Sequence, residues 1–491
     1  MSRLLYIKLV CDKVNRINEL LALLCRSILT GMIELNEVAV SLQDHPLFHS
    51  LTLSFESGVS YLLKGENGAG KTILLKLLAG KTQPGKGSIH YDFIDDHLDW
   101  EQKFELRKKY IHFIPTHALH ELVSAPDLFY QQRYYTIESS PIPTVRDYFG
   151  ERMKNLSGLQ LPESFQLTHL LDLELIRLSN GQVKKVIILK QLLDTIPRIL
   201  LLDYPFEGLD VKSRSELSNF LDHLAEVHRI QLIIADNEHP HLPNAISKHV
   251  VIGDDSTAIT DRVSTTSLLA NHVESNPVKS SAESDPVVEM QSVKIQYGSK
   301  VILENLSWKI HRGERWALTG PNGSGKTTLF SLIYADHPMA YSEKIFLFGK
   351  RRGSGESIWD IKKRISYLGP EQLHFLDDAT EQLTVRAFLE KERMTAHQLP
   401  HLITYFQMER LLARKLRQLS NGQLQLVLLI SLFLSQKELL LLDEPFQFLD
   451  PVQKTRVNEY LHSHLDESTT LVLITHYEDD VAHWTHHRLI L

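Results

Sequence analysis

Short apolar runs punctuate this chain, and they recur in the same order in its two halves. Ile33–Ser41 predicts an opening strand, Ile199–Leu202 a buried one, and Leu439–Leu442 repeats the latter. Arg315–Thr319 predicts a strand and Thr328–Ile333 the start of a helix. Val183–Leu193 and Leu424–Leu434 predict helices packed on a core, too short for the roughly 20 apolar residues of a membrane span. Each half reads as strand, strand, glycine-rich loop, helix, an irregular helical region, a helix, strand, strand. Buried apolar strands alternating with helices predict an α/β fold with helices on the faces of the sheet.

The glycine-rich loops are Gly65–Thr72 and Gly320–Thr327, and both match a phosphate loop. Gly65, Gly68 and Gly70, with Asn67 between them, allow a tight turn whose N–H groups face a phosphate. Gly320, Asn322, Gly323 and Gly325 repeat the arrangement, and each following helix adds its positive end. Lys71 and Lys326 would reach the β- and γ-phosphates, and Thr72 and Thr327 would give a hydroxyl to Mg²⁺. A second motif, Leu-Ser-Asn-Gly-Gln, occupies 178–182 and 419–423, and Asp203 and Asp443 each close an apolar strand. The lysines are 255 residues apart, the motif serines 241 and the aspartates 240. The first half therefore carries about 14 extra residues, in a stretch around Asp127–Tyr135. A polar segment, 254–286, is expected to link a first domain at 32–253 to a second at 287–491.

Composition narrows the partners. A net charge of -7 gives no general attraction to nucleic acid or anionic lipid. Cys11 and Cys25 are the only cysteines, which argues against a disulfide framework or a thiolate metal cluster. Residues 1–31 carry basic residues ahead of the apolar patch Leu20–Cys25, too short for a signal peptide core; they are expected to be an extra helix or an upstream extension. Work at a membrane would then need a partner.

The phosphate loop, the Leu-Ser-Asn-Gly-Gln signature and the apolar strand ending in Asp-Glu-Pro together resemble the ATP-binding cassette (ABC) family, over nearly all of 32–491. The resemblance implies a RecA-like core, a small antiparallel β-subdomain and a helical subdomain carrying the signature, in each of two cassettes. It implies that the cassettes pair head to tail, with each ATP held between one phosphate loop and the opposite signature. Ser157, in Leu156-Ser157-Gly158-Leu159-Gln160, imitates a signature but lies 46 residues before Asp203, against 24 for Ser179 and 23 from Ser420 to Asp443.

By that resemblance the second half is nearly complete. Asp443 would hold Mg²⁺ through water, Glu444 would activate the attacking water, and His476 would contact the γ-phosphate. Tyr297 would stack on adenine, and Phe446–Asp450 would pass between cassettes. The first half keeps Lys71, Thr72 and Asp203 but has Tyr204 where Glu444 stands, Asp236 where His476 stands and Leu42 where Tyr297 stands. A phenol with a reference pKa of about 10 is a poor base near neutrality. Asp236 would repel the γ-phosphate unless Mg²⁺ or a lysine intervened. The competent site is thus expected to combine Lys326, Thr327, Asp443, Glu444 and His476 with Ser179 and Gly181. The degenerate one would combine Lys71, Thr72 and Asp203 with Ser420 and Gly422. Where the family commonly has Pro-Gln, the first half has Pro115-Thr116, and in the second Glu371 or Gln372 could take over.

Within the family, Phe348–Glu356 followed by Ile358–Lys362 is similar to a segment of the tandem-cassette ModF/PhrA group, named for molybdenum transport and photorepair. Its Lys350, Arg351 and Arg352 read as a solvated turn or a polyanion contact. The resemblance implies a cytoplasmic ATPase, peripheral on the inner membrane where a permease is its partner. A non-transport role in DNA repair, stress or at the ribosome stays open, with nucleic acid as a further partner. Twin-cassette translation factors would carry a long helical hairpin between the halves, and repair ATPases a long coiled coil; the sequence has neither.

Overall fold

The computed structural model describes residues 31–42, 45–116, 143–159, 161, 170–175, 178, 180–237, 241–253, 257–261, 286–297, 300–321, 323–369, 372, 376–391, 398–475, 481 and 484–491. The expected extension, most of the linker, the first-half insertion around Asp127–Tyr135, Asn322, Glu371, Ser179 and His476 lie outside these residues.

In the first half, β1 (Ile33–Leu42), β2 (His45–Phe55) and β4 (Lys86–Tyr91) form a small antiparallel sheet in the order β2-β1-β4. The main sheet runs β5-β6-β7-β3-β8-β9, with β3 at Ser60–Lys64, β5 at Ile111–Ile114, β6 at Ile199–Asp203, β7 at Gln231–Ala235, β8 at Ile246–Ile252 and β9 at Thr257–Asp261. All its pairings are parallel except β8 with β9. The strand β9 corrects the linker expectation. Residues 257–261 pair with β8, so the stretch after 253 still belongs to the first sheet.

The second half repeats this plan. Its small sheet contains β10 (Pro286–Tyr297), β11 (Lys300–His311), β13 (Ile345–Leu347) and β14 (Lys350–Arg351). The main sheet, β15-β16-β17-β12-β18, uses β12 at Arg315–Thr319, β15 at Ile365–Leu368, β16 at Leu439–Asp443, β17 at Thr470–Ile474 and β18 at His487–Ile490. Parallel pairs throughout explain why its inner strands are continuous apolar runs rather than alternating ones.

Two-residue alternation still divides those runs between two cores. Leu200 and Leu202 face the core containing the signature helix, α3 (Asn180–Asp194), whereas Ile199 and Leu201 face the phosphate-loop helix, α1 (Lys71–Leu78). In the second half, Leu440 and Leu442 pack toward α7 (Asn421–Ser435), and Leu439 and Leu441 toward α5 (Lys326–Ile333). Both signature helices begin earlier than their apolar runs. Ser420 caps α7, accepting from the Gln423 N–H at 3.3 Å while Gln423 accepts from the Ser420 N–H at 3.2 Å. The motif Ser-Asn-Gly-Gln is therefore a helix start as well as a signature. Ser157 belongs to a 3₁₀ helix, Gly150–Leu159, and not to the start of a long helix.

The basic trio of the second half is split by its packing. Lys350 and Arg351 are exposed, but Arg352 is only 3% exposed, its guanidinium 4.9 Å from the centre of the Tyr341 ring. Only two of the three charges face solvent, which favours the solvated turn over the polyanion contact. Among the described residues no helix is long and apolar enough to cross a membrane.

Candidate nucleotide-binding site

Each phosphate loop sits between a buried strand and a helix, as its sequence requires. Gly68 and Gly70 have φ of 93° and 98°, and Gly323 and Gly325 have 83° and 99°, values that side chains other than glycine rarely adopt. At Gly70 a Cβ would meet the Phe48 ring, and at Gly325 the Ile302 side chain. The loops therefore combine positive φ with close packing against the small sheet.

Inside each loop the lysine curls over the backbone. Lys71 Nζ donates to the Gly65 carbonyl at 2.5 Å and the Glu66 carbonyl at 3.1 Å. Lys326 Nζ donates to Gly320 at 2.7 Å and Pro321 at 2.8 Å. At the helix start, Thr72 Oγ1 lies 2.9 and 3.1 Å from the two Asp203 oxygens, and Thr327 Oγ1 lies 3.0 Å from Asp443 Oδ2. A hydroxyl and a carboxylate brought together beside a lysine and a helix N-terminus fit a polyphosphate carrying a hard divalent cation. No group of three or more His, Cys, Asp or Glu side chains forms a metal cage among the described residues. Mg²⁺ held partly by nucleotide and water suits such a set better than a protein-only site.

Across from the first loop lies the second half's signature. Asn67, Gly68, Gly70, Lys71, Thr72 and Asp203 line one side of a cavity of about 430 Å³, and Ser420, Asn421, Gly422 and Gln423 line the other. The halves also bond directly. Gln423 Nε2 donates to the Asn67 carbonyl at 3.3 Å, Asn67 Nδ2 to the Phe448 carbonyl at 2.8 Å, and the Asn67 N–H to Asp450 Oδ2 at 3.0 Å. Asn237 Nδ2 donates to the Leu449 carbonyl at 3.1 Å. The loop Phe446–Asp450 does pass between the halves.

Several residues that line this cavity were not singled out by sequence reasoning. Thr116, flagged only as a departure from Pro-Gln, donates to Asp203 Oδ2 at 2.9 Å and so joins the Thr72–Asp203 pair. Arg414 and Arg417 reach the cavity from just before the second signature. Their counterparts 241 positions earlier are Leu173 and Ile176, a difference of charge that was available in the repeat alignment.

Tyr204 occupies the backbone niche of Glu444. Their φ values are 49° and 52°, a left-handed conformation that costs a side chain free energy, and in each half it follows the strand-ending aspartate. The Tyr204 ring lies 5.7 Å from Lys71 Nζ. Burial, then the carboxylates of Asp236, Asp203 and Glu207, push the phenol well above its ordinary pKa, so it is a neutral donor. Asp236, whose charge acts on Lys71, turns its carboxylate onto the backbone. It is fully buried, accepts the N–H groups of Phe206 at 3.3 Å and Asn237 at 2.7 Å, and is pushed up to about 7 by burial and by Glu207.

In the second site, Lys326 is lowered by burial, against the attraction of Glu444, Asp443 and, from the first half, Asp210. Tyr297 ends β10. Gly181 packs against Ser213 of its own half.

Lys71 is the group with the clearest pH consequence. Burial brings its ammonium down to about 8, opposed by Asp450, Asp236 and Asp203. A bound polyphosphate favours the charged form, so affinity is full below pH 8 and falls as the free lysine deprotonates above it. In protein carrying Lys326→Ala, which leaves the first pocket to bind, MgATP affinity should fall about tenfold between pH 7 and pH 9. A flat profile in a fluorescent-nucleotide titration would contradict this.

Two phosphate loops on twin α/β cores, one visibly completed by the other half's signature, define a tandem-cassette P-loop protein. The chain belongs to the ABC transporter family, whose sequence model matches residues 48–207 and 303–447. It is 30% identical to the ABC transporter ATP-binding protein ModF of Escherichia coli (strain K12), over 89% of this chain and 92% of that one. An uncharacterised ABC transporter ATP-binding protein of Schizosaccharomyces pombe is 27% identical, over 89% and 93% of the two chains. Among solved structures, ribosome-bound archaeal Pelota and ABCE1 aligns with a TM-score of 0.57 at 19% identity, covering 88% of this chain and 72% of that one. RNase-L Inhibitor aligns with 0.51 at 18%, covering 88% and 83%. At those identities the structures speak for the fold alone. The protein is an ABC ATPase whose cassettes pair within one polypeptide.

Proposed function

We propose that this ATPase hydrolyses ATP with Mg²⁺ at one composite site and holds a second ATP, without turning it over, as a clamp between its halves. The observation that carries the reading is the first cavity, where Lys71, Thr72 and Asp203 face Ser420 and Gly422 but Tyr204 stands in the place of a base. In the competent site, Lys326 and Thr327 would bind phosphate and metal, Asp443 would help to hold the metal, and Glu444 would take the proton of the attacking water. His476, Ser179 and Gly181 complete it, with Tyr297 against the base, in the roles that the family assigns to their positions. The domain limits at 32–253 and 287–491 belong to the same reading, with the pairing of β8 and β9 extending the first domain to Asp261.

The cellular role follows the 30% relative: the ATP-binding component of a transport-related system, cytoplasmic and peripheral on the inner membrane. Its partner would be a permease, with molybdate as the cargo class. Affinity isolation from native cells with the Glu444→Gln protein tests this. A membrane permease should co-elute with the ATP-trapped form. Recovery of ribosomes or DNA-repair proteins instead would replace the transport reading by the non-transport one.

A further inference from the structure

The loop that carries the expected base is held in an unfavourable backbone conformation by the opposite half. Phe448 has φ of 62°, in the left-handed region, where its counterpart in the first half is Gly208 at 68°. Glycine adopts that conformation without penalty, whereas a phenylalanine keeps it only if its surroundings hold it there. They do so at both peptide groups. Asn67 Nδ2 donates to the Phe448 carbonyl, as described, and the Phe448 N–H donates to Glu207 Oε1 at 2.9 Å. Both holding residues belong to the first half.

Glu207 is built for that task. Its side chain is 8% exposed, and burial raises its pKa, against the Phe448 N–H, Lys184 and Arg214. Lys184 Nζ fixes the same residue from below, donating to the Glu207 carbonyl at 2.6 Å. The second-half counterparts of Glu207 and Lys184 are Gln447 and Gln425, so the charged pair is a feature of the first half. From Phe448 the loop leads straight to the base. The Gln447 N–H donates to the Glu444 carbonyl at 3.1 Å, and Gln425 Nε2 donates to the Pro445 carbonyl at 3.1 Å.

We propose that Glu207 is a positioning residue that acts across the interface, holding the strained Phe448 amide so that Glu444 is set at its own phosphate loop. The inference rests on the hydrolysis reading above for its kinetic consequence, though not for the tether itself. Removing the acceptor leaves a buried N–H without a partner and lets Phe448 relax, which moves the loop but not the phosphate loop that binds ATP. Glutamine at the same position still offers an oxygen to the amide.

Three variants test it. Glu207→Ala should lower kcat about tenfold with KM for ATP within about twofold, and Glu207→Gln should stay within about twofold in both. Adding Phe448→Gly to Glu207→Ala should recover most of the lost kcat, because glycine keeps φ near 62° unaided. A residue with a merely structural role would show neither the conservative nor the glycine rescue. Amide hydrogen exchange supplies a readout that needs no turnover: the peptide spanning 445–450 should exchange at least about tenfold faster in Glu207→Ala. Unchanged kcat, or Glu207→Gln as impaired as Glu207→Ala, overturns the positioning role. Unchanged exchange overturns the tether, even in a protein that hydrolyses ATP well. Wild-type protein without turnover overturns the hydrolysis reading, and the tether then stands or falls on the exchange result.

Discussion

Glu444→Gln is expected to reduce ATP turnover by at least about 100-fold, whereas Tyr204→Phe should leave it within about twofold. The two positions share a backbone: each follows the aspartate ending a central strand, each has φ near 50°, and each lies within electrostatic or ring-contact reach of the lysine of its own phosphate loop. Only the chemistry of the side chain differs. A carboxylate beside Lys326 can take a proton from water near neutral pH. A phenol raised by burial and by neighbouring carboxylates cannot, so losing its hydroxyl removes no base. A 100-fold loss corresponds to about 2.7 kcal/mol in the barrier, within the range for removing a general base. Steady-state phosphate release with both variants, each checked for ATP binding, decides the matter. Undiminished release by Glu444→Gln would mean that the base lies elsewhere, and a large loss in Tyr204→Phe would make the first site the active one.

The parts of this arrangement that are local in sequence were legible there. A phosphate loop is readable because its glycines answer to positive φ, and the central strands because a sheet covered on both faces tolerates only apolar side chains. The strand β9 was hidden because an exposed edge strand needs no apolar run: Thr257–Asp261 pairs with β8 while four of its five residues are exposed. Contacts between the halves were harder still. Phe448 and Glu207 are 241 residues apart and Asn67 and Asp450 383, and no periodicity links them. Asp236 shows what position alone leaves out. Its position matched a phosphate-contacting residue, but its carboxylate turned inward onto two backbone N–H groups, an option that any short carboxylate has at a strand end. The head-to-tail pairing itself came from resemblance and not from the residues, and the first cavity gives it a geometry.

Gly422→Ala is expected to weaken nucleotide binding at the first cavity by at least about 100-fold and to slow turnover at the second with it. Gly422 lies in the first turn of α7, where a Cβ would fall well inside contact distance of both the Asn67 amide and the Phe448 carbonyl. The side-chain amide could rotate away, but Phe448 could not yield without releasing the loop that leads to Glu444. Separation of the halves by even an ångström takes the Ser420 hydroxyl and the helix start of α7 away from the ligand while the Lys71 side is untouched. Gly181→Ala should be milder for its own half, since the added methyl would approach Ser213 Cβ to 2.9 Å, a smaller overlap than at Gly422 that a slight shift of the helix carrying Ser213 relieves. Binding isotherms for MgATP in a Lys326→Ala background isolate the first cavity, and a thermal scan without nucleotide shows whether the variant folds. A folded Gly422→Ala protein that binds MgATP as tightly as its parent would mean that the first cavity holds nucleotide from one side only, and the clamp would have to be abandoned.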